Sequence, residues 1–179
     1  MLPNPPPMLD PLDRKLYTLL SLRELGGCTH LQLLSFLVEN DVMSDFDLSL
    51  ALHELVDEGG ASVIGSKDKS VFSITEAGLE TLSFFLNRLP HSKVEQLRQN
   101  APVWRERQEN ERMCPAEVIR LENGGCVARL SLLDGDSTLM TLEIPSPDRH
   151  TARQLAAVWP RHAAELYQTI IQTLGEALP

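Results

Sequence analysis

Two groups of side chains in the first half of the chain have the types and spacing to meet a polyanion. Ser49 and His53, with Leu50 between them, fall one helical turn apart on the side of a segment opposite Leu48, Leu52 and Leu55. A hydroxyl and an imidazole placed there can hydrogen-bond base edges in a major groove. Lys67 and Lys69, with Ser66 beside them, form a short basic tip able to grip a phosphate. Acids crowd the same region: Asp45, Asp47, Glu54, Asp57 and Glu58 lie on or beside that segment, with Asp47 expected on its outward side. From Glu24 to Ser66 there is no Lys or Arg at all, so the charge that a nucleic acid requires is missing where the reading residues stand.

Other chemistries find less to work with. His30, His53, His91, His150 and His162 show no metal-ligand spacing, and neither a phosphate-cradling glycine loop nor a Gly-x-Ser-x-Gly elbow occurs. Cys28, Cys114 and Cys126 are odd in number, far apart and without a neighbouring base, which reads as free structural thiols. No catalytic residues, metal or cofactor are therefore expected, and the chain reads as a non-enzyme.

The charge is unevenly spread. The net charge is −9; residues 1–90 hold six basic against thirteen acidic side chains, and residues 91–179 hold ten against twelve. The half with the reading residues is the more acidic, and its field repels a polyanion at long range. Without a basic, apolar leader or a run of about 20 apolar residues, a cytoplasmic protein away from the membrane is expected.

The elements that must position these residues follow from periodicity and caps. Residues 1–10, with Pro5-Pro6-Pro7, read as an extended arm. Leu12, Leu16, Leu19, Leu20 and Leu22 mark a first helix over 11–25, stopped by Gly26-Gly27. Thr29 caps a second helix with an apolar stripe of Leu31, Leu34, Phe36, Leu37 and Val38. Ser44 and Asp45 cap a third over 46–58, ended by Gly59-Gly60. Residues 61–64 and 70–74 make a hairpin whose tip carries the lysines. Thr75 opens a fourth helix, with Leu79, Leu82, Phe85 and Leu86 packing beneath the hairpin and Pro90 ending it. Three helices, a hairpin and a closing helix are the parts of a winged helix-turn-helix domain over 11–90.

Residues 91–114 read as a solvated helical connector broken at Pro102, rich in both Arg and Glu. Three strands follow in an antiparallel meander with turns at Asn123-Gly124-Gly125 and Asp134-Gly135-Asp136. Asp148 caps a helix reaching Trp159, and Pro160 starts a last helix over 161–178. The fold class is thus α+β, a winged helix-turn-helix followed by a three-stranded meander packed with two C-terminal helices over 115–179. Leu166, Tyr167, Ile170, Ile171 and Leu174 widen the apolar face of the last helix beyond what one sheet needs, and with Trp104 they are candidates for a homodimer interface.

The segment Phe46-Asp-Leu-Ser-Leu-Ala-Leu-His-Glu-Leu55, then 72–85, Arg88-Leu-Pro90, and more loosely Leu142-Glu-Ile-Pro145 and Trp159 with Ala164-Glu-Leu-Tyr167, resembles a bacterial family known only as a domain of unknown function with a winged-helix N-terminal half. The resemblance implies a regulator-like fold and carries no activity or ligand. Two functions follow as expectations, the first the leading one and the second its alternative. One is a homodimeric transcriptional regulator that binds DNA through helix 46–58 and wing 61–74. The other is a winged-helix protein-interaction module whose acidic helix docks on a basic partner, which the charge favours.

Overall fold

The structure is a computed structural model that describes residues 9–65, 70–122 and 124–176. It divides into two compact units, residues 1–105 and 106–179.

The first unit is built around one helix. α1 (Pro11–Leu25) starts where Asp10 accepts the Leu12 N–H and Pro11 takes the first helical position, and it stops at Gly26, whose φ of 80° suits a residue without a Cβ. Leu16, Leu19, Leu20 and Leu22 are fully buried, and Thr18 and Ser21 are buried with them. Thr18 meets its need locally by donating to the Arg14 carbonyl at 2.8 Å. The two residues after the Gly-Gly stop form a strand that periodicity misses, β1 (Cys28–Thr29).

Thr29 then caps α2 (His30–Glu39) in a capping box with Gln32. Ser44 caps α3 (Asp45–Asp57), and β2 (Ala61–Ile64) and β3 (Val71–Ile74) follow. Strand order in the sheet is β1-β3-β2, all antiparallel, with Cys28 opposite Phe72 and Val63 opposite Phe72 from the other side. α4 (Glu76–Phe85) is capped by Thr75 and followed by a short 3-10 turn, Leu86–Arg88. The expected packing of these helices needs correction in places. On α2 the buried residues are Leu33, Phe36 and Leu37, while Leu31 and Val38 face outward. On α4 Leu82 is buried, and Leu79 and Phe85 are largely exposed.

The stretch expected to be a broken, solvated connector is one continuous helix, α5 (His91–Met113), running through Pro102. Its first half belongs to the first unit: Val94, Leu97, Ala101 and Trp104 are buried in the same core as α1. Pro102 itself is exposed, and the helix bond it cannot make is offset by burial of Ala101 and Trp104 on either side. A polar clamp adds to this. Buried Asn40 donates to the Phe36 carbonyl at 2.8 Å and accepts from Asn100 at 2.6 Å, and Lys93 donates to the Asn40 carbonyl at 2.7 Å.

The second unit is a meander, β4 (Ala116–Arg120), β5 (Cys126–Asp134) and β6 (Ser137–Ser146), in that order across the sheet. Cys126, Ala128, Leu130 and Leu132 alternate along β5 onto a buried face, the period of two that the pleat imposes. The two helices expected after it are one, α6 (Arg149–Glu176), with Pro160 inside. Trp159 and Ala163 flank that proline and are buried against the sheet, and the Trp159 indole N–H donates to the Ser131 carbonyl at 2.8 Å. The anchoring on both sides holds the helix through the missing bond.

The tightest joint in the first unit is where the hairpin hands over to α4. The Thr75 hydroxyl donates to the Gly59 carbonyl at 2.6 Å and accepts the Gly78 N–H at 3.1 Å. A Cβ on Gly78 would stand 2.0 Å from the Gly60 carbonyl oxygen, which is backbone and cannot swing aside. Gly78→Ala is expected to lose roughly 2–4 kcal/mol in urea unfolding; wild-type stability in that variant would show that the joint yields without cost.

Candidate functional site

α3 is held from behind and left open in front. Leu48, Ala51, Leu52 and Leu55 bury its inner side. Its first turn is closed by a reciprocal pair: the Asp47 N–H donates to the Ser44 hydroxyl at 3.2 Å, and that hydroxyl donates to the Asp47 carboxylate at 2.8 Å. Asp47 is therefore buried in the cap and does not face outward as its position in the helix suggested. One edge of the helix is tied to α1, where Arg14 reaches Glu54 at 2.8 Å and Lys15 reaches Glu54 at 3.1 Å and Glu58 at 2.7 Å. Hydrogen bonding and charge from Lys15 hold the Glu54 carboxyl below its ordinary value, and Glu58 holds the Lys15 ammonium above its own.

The outer side carries Phe46, Leu50, His53 and Asp57 at helical spacing, with Ser49 beside them. Phe46 is 74% exposed, a large apolar ring left open to solvent among the described residues. His30, the first residue of α2, places its Nε2 3.2 Å from the Ser49 hydroxyl and 3.4 Å from the Asp45 carboxylate. His53 stands 3.5 Å from Asp57. Between α3 and the hairpin runs an open groove of about 330 Å³. Leu52, Val56, Val63 and Phe72 give it an apolar floor, and His30, Ser49 and His53 line its polar side.

The expected reading residues are thus brought to one surface, but in apolar and acidic company. Ser49 is already engaged by His30, and Leu50 is half-buried. Several basic residues of the unit are tied down elsewhere. Arg88 pairs with Asp10 and Asp13, Arg98 lies 3.7 Å from Glu24 at the end of α1, and Lys93 serves the Asn40 clamp. Ser66, Lys67 and Lys69, the expected wing tip, lie outside the described residues.

A model of the family described as a domain of unknown function (DUF4364) matches residues 14–174. The chain belongs to that family. No curated protein and no solved structure matches it.

In this DUF4364 chain the residues expected at a dimer interface separate. Trp104 is buried in the first core, its ring 5.8 Å from that of Phe36 in an edge-to-face arrangement, so it anchors α5 and offers no interface. Leu166, Ile171 and Leu174 are exposed, and Tyr167 and Ile170 are half-buried. Tyr167 is the last described residue of α6 that packs on the sheet; Ile170 and Leu174 prolong the same apolar stripe past it. The three cysteines are buried, and burial pushes the Cys28 thiol up to about 12, which keeps it protonated and unreactive at neutral pH. Among the described residues no group of His, Cys, Asp and Glu is arranged to hold a metal, and no helix is long and apolar enough to cross a membrane. Sequence reasoning missed the groove, because its floor joins residues from α3 and two strands, and gave Phe46 no role beyond the start of its helix.

Proposed function

We propose that residues 11–90 are a winged helix whose third helix docks a basic protein partner. The element order α1-β1-α2-α3-β2-β3-α4, with β3 between β1 and β2, supports the winged-helix assignment. The observation that carries the docking is the outer side of α3. Phe46 and Leu50 offer an apolar anchor next to a groove, Asp45 and Asp57 flank them, and no Lys or Arg occurs from Glu24 to Ser66. Against DNA each of those acids faces phosphate oxygens, and counterion release supplies nothing there. Against a protein surface with lysines and arginines around an aliphatic or aromatic side chain, both features are matched.

DNA binding as a transcriptional regulator is the second reading, favoured by the same element order and by Lys67 and Lys69 in the hairpin. Anisotropy of a labelled amphipathic peptide of Leu and Lys at helical spacing, with duplex genomic fragments as a separate titrant, separates the two. The docking reading expects peptide binding that weakens at least tenfold in Phe46→Glu and fades with salt, and no duplex binding at low salt. Salt-sensitive duplex binding that a Lys67→Ala/Lys69→Ala double variant loses would give the site to DNA.

The chain is further proposed to be a homodimer through the free end of α6. Leu166, Ile170 and Leu174 are spaced evenly about Ile170, so a two-fold, antiparallel crossing sets Ile170 on its counterpart and Leu166 on Leu174. Sedimentation is expected to give twice the chain mass for the wild type and the single-chain mass for Ile170→Glu/Leu174→Glu. A double variant that stays dimeric would place the interface elsewhere.

A further inference from the structure

The second unit contains a cavity of about 440 Å³ at one end of its sheet. Strand register explains how it arises. Arg120 of β4 lies opposite Cys126 of β5, and Cys126 lies opposite Ser146 of β6. Directly paired residues share a face, and this face is the one that carries Ala128, Leu130 and Leu132 and packs on α6. An arginine thus stands on the apolar side of the sheet at its last rung. From Ser146 the chain passes through Pro147 and Asp148 into α6, whose first residue is Arg149, and all three line the same cavity.

The two arginines differ in pairing from Arg112 and Arg129; Arg153 and Arg161 show no ion pair among the described residues either, but they do not line the cavity. Arg112 is paired with Glu109, and Arg129 lies between Glu117 and Glu143. Among the described residues Arg120 and Arg149 have no ion-pair partner. The one carboxylate on the cavity wall, Asp148, is turned to its own helix: it accepts the Thr151 N–H at 2.9 Å and the Thr151 hydroxyl at 3.1 Å, and these bonds hold it below the usual carboxylate range. The cap occupies the helix end, so a charge entering the cavity meets guanidinium groups. The remaining wall comes from Val118, Gly124, Pro147 and the Cys126 thiol, which is only 4% exposed and makes no described hydrogen bond.

We propose that this cavity binds a small organic anion, its carboxylate or phosphate group held between Arg120 and Arg149 and its apolar body against Val118, Cys126 and Pro147. The volume is in the range of about 300–1,000 Å³ common for small-molecule sites and exceeds what a bare oxyanion fills. Arginine forks suit planar and tetrahedral oxyanions alike. The site stands apart from α3 and does not depend on what α3 docks.

The test uses the full chain and two probes, benzoate and inorganic phosphate, at ionic strength matched with chloride. Thermal unfolding and mass-spectrometric alkylation of Cys126 by neutral iodoacetamide are read in parallel. A rise of a few degrees in Tm and an alkylation of Cys126 slowed at least fivefold are expected, both lost in Arg120→Gln/Arg149→Gln. A response to benzoate assigns a carboxylate ligand, and a response to phosphate alone assigns a phosphate ester. Absence of any shift or protection with either probe overturns the proposal. So does an equal response in the double variant, and slowed alkylation in Arg149→Gln alone equal to wild type covers the case in which the double variant does not fold.

Discussion

Burial of α1 is the constraint on which the first unit depends. Leu16, Leu19, Leu20 and Leu22 have no exposure, and α2, α3, α4 and β3 all pack on this helix. A helix enclosed on so many sides has only its own neighbours to satisfy its polar groups, and the buried Ser21 hydroxyl and Arg14 Nε find no partner among the described residues. Thr18 turns to the Arg14 carbonyl, and Arg14 turns to Glu54. That second contact, with Lys15 on Glu54 and Glu58, holds α3 by its inner edge and takes up acids that would otherwise face the same solvent as Asp45 and Asp57. Apart from the His30 contacts to Ser49 and Asp45, the outer side of α3 is consequently left to solvent among the described residues. Apolar residues kept there, Phe46 foremost, cost solvation without stabilising the unit, and this is why they read as a surface for something else.

Much of the local structure was legible because caps and stops are local. Thr29, Ser44 and Thr75 each accept a helix N–H where the sequence places them, and the Gly26 and Gly59 stops adopt the positive φ that ends a helix. The hairpin and the meander follow from turn residues and alternation. What failed depends on distant partners. β1 is two residues long, too short for a period, and exists because β3 has a free edge. Pro102 and Pro160 read as breaks, yet each sits between buried neighbours that hold the helix through it. Leu31, Val38 and Phe85 look like core from their type and face outward, and Trp104 looks like an anchor for another molecule and anchors α5.

The candidate surface was legible in part. Ser49, Leu50 and His53 were placed on the outer side of α3 by periodicity, and the lack of basic residues could be counted. The groove could not, since its floor comes from residues far apart in sequence, and Asp47 was misplaced because a capping bond turned it inward. In the second unit, Arg120 has no signal at all until strand register sets it beside Cys126. Taken together, the proposals give the two units separate work: a docking surface on the first, and an anion pocket and a pairing helix on the second.

The central claim is that acidic charge, and not a missing architecture, keeps α3 off DNA and on a protein. Charge reversal at Asp45→Lys/Asp57→Lys tests it directly, with duplex retardation at low salt as the readout. The account predicts no retardation by the wild type and clear, salt-sensitive retardation by the reversed variant. Retardation by the wild type as strong as by the variant would contradict it.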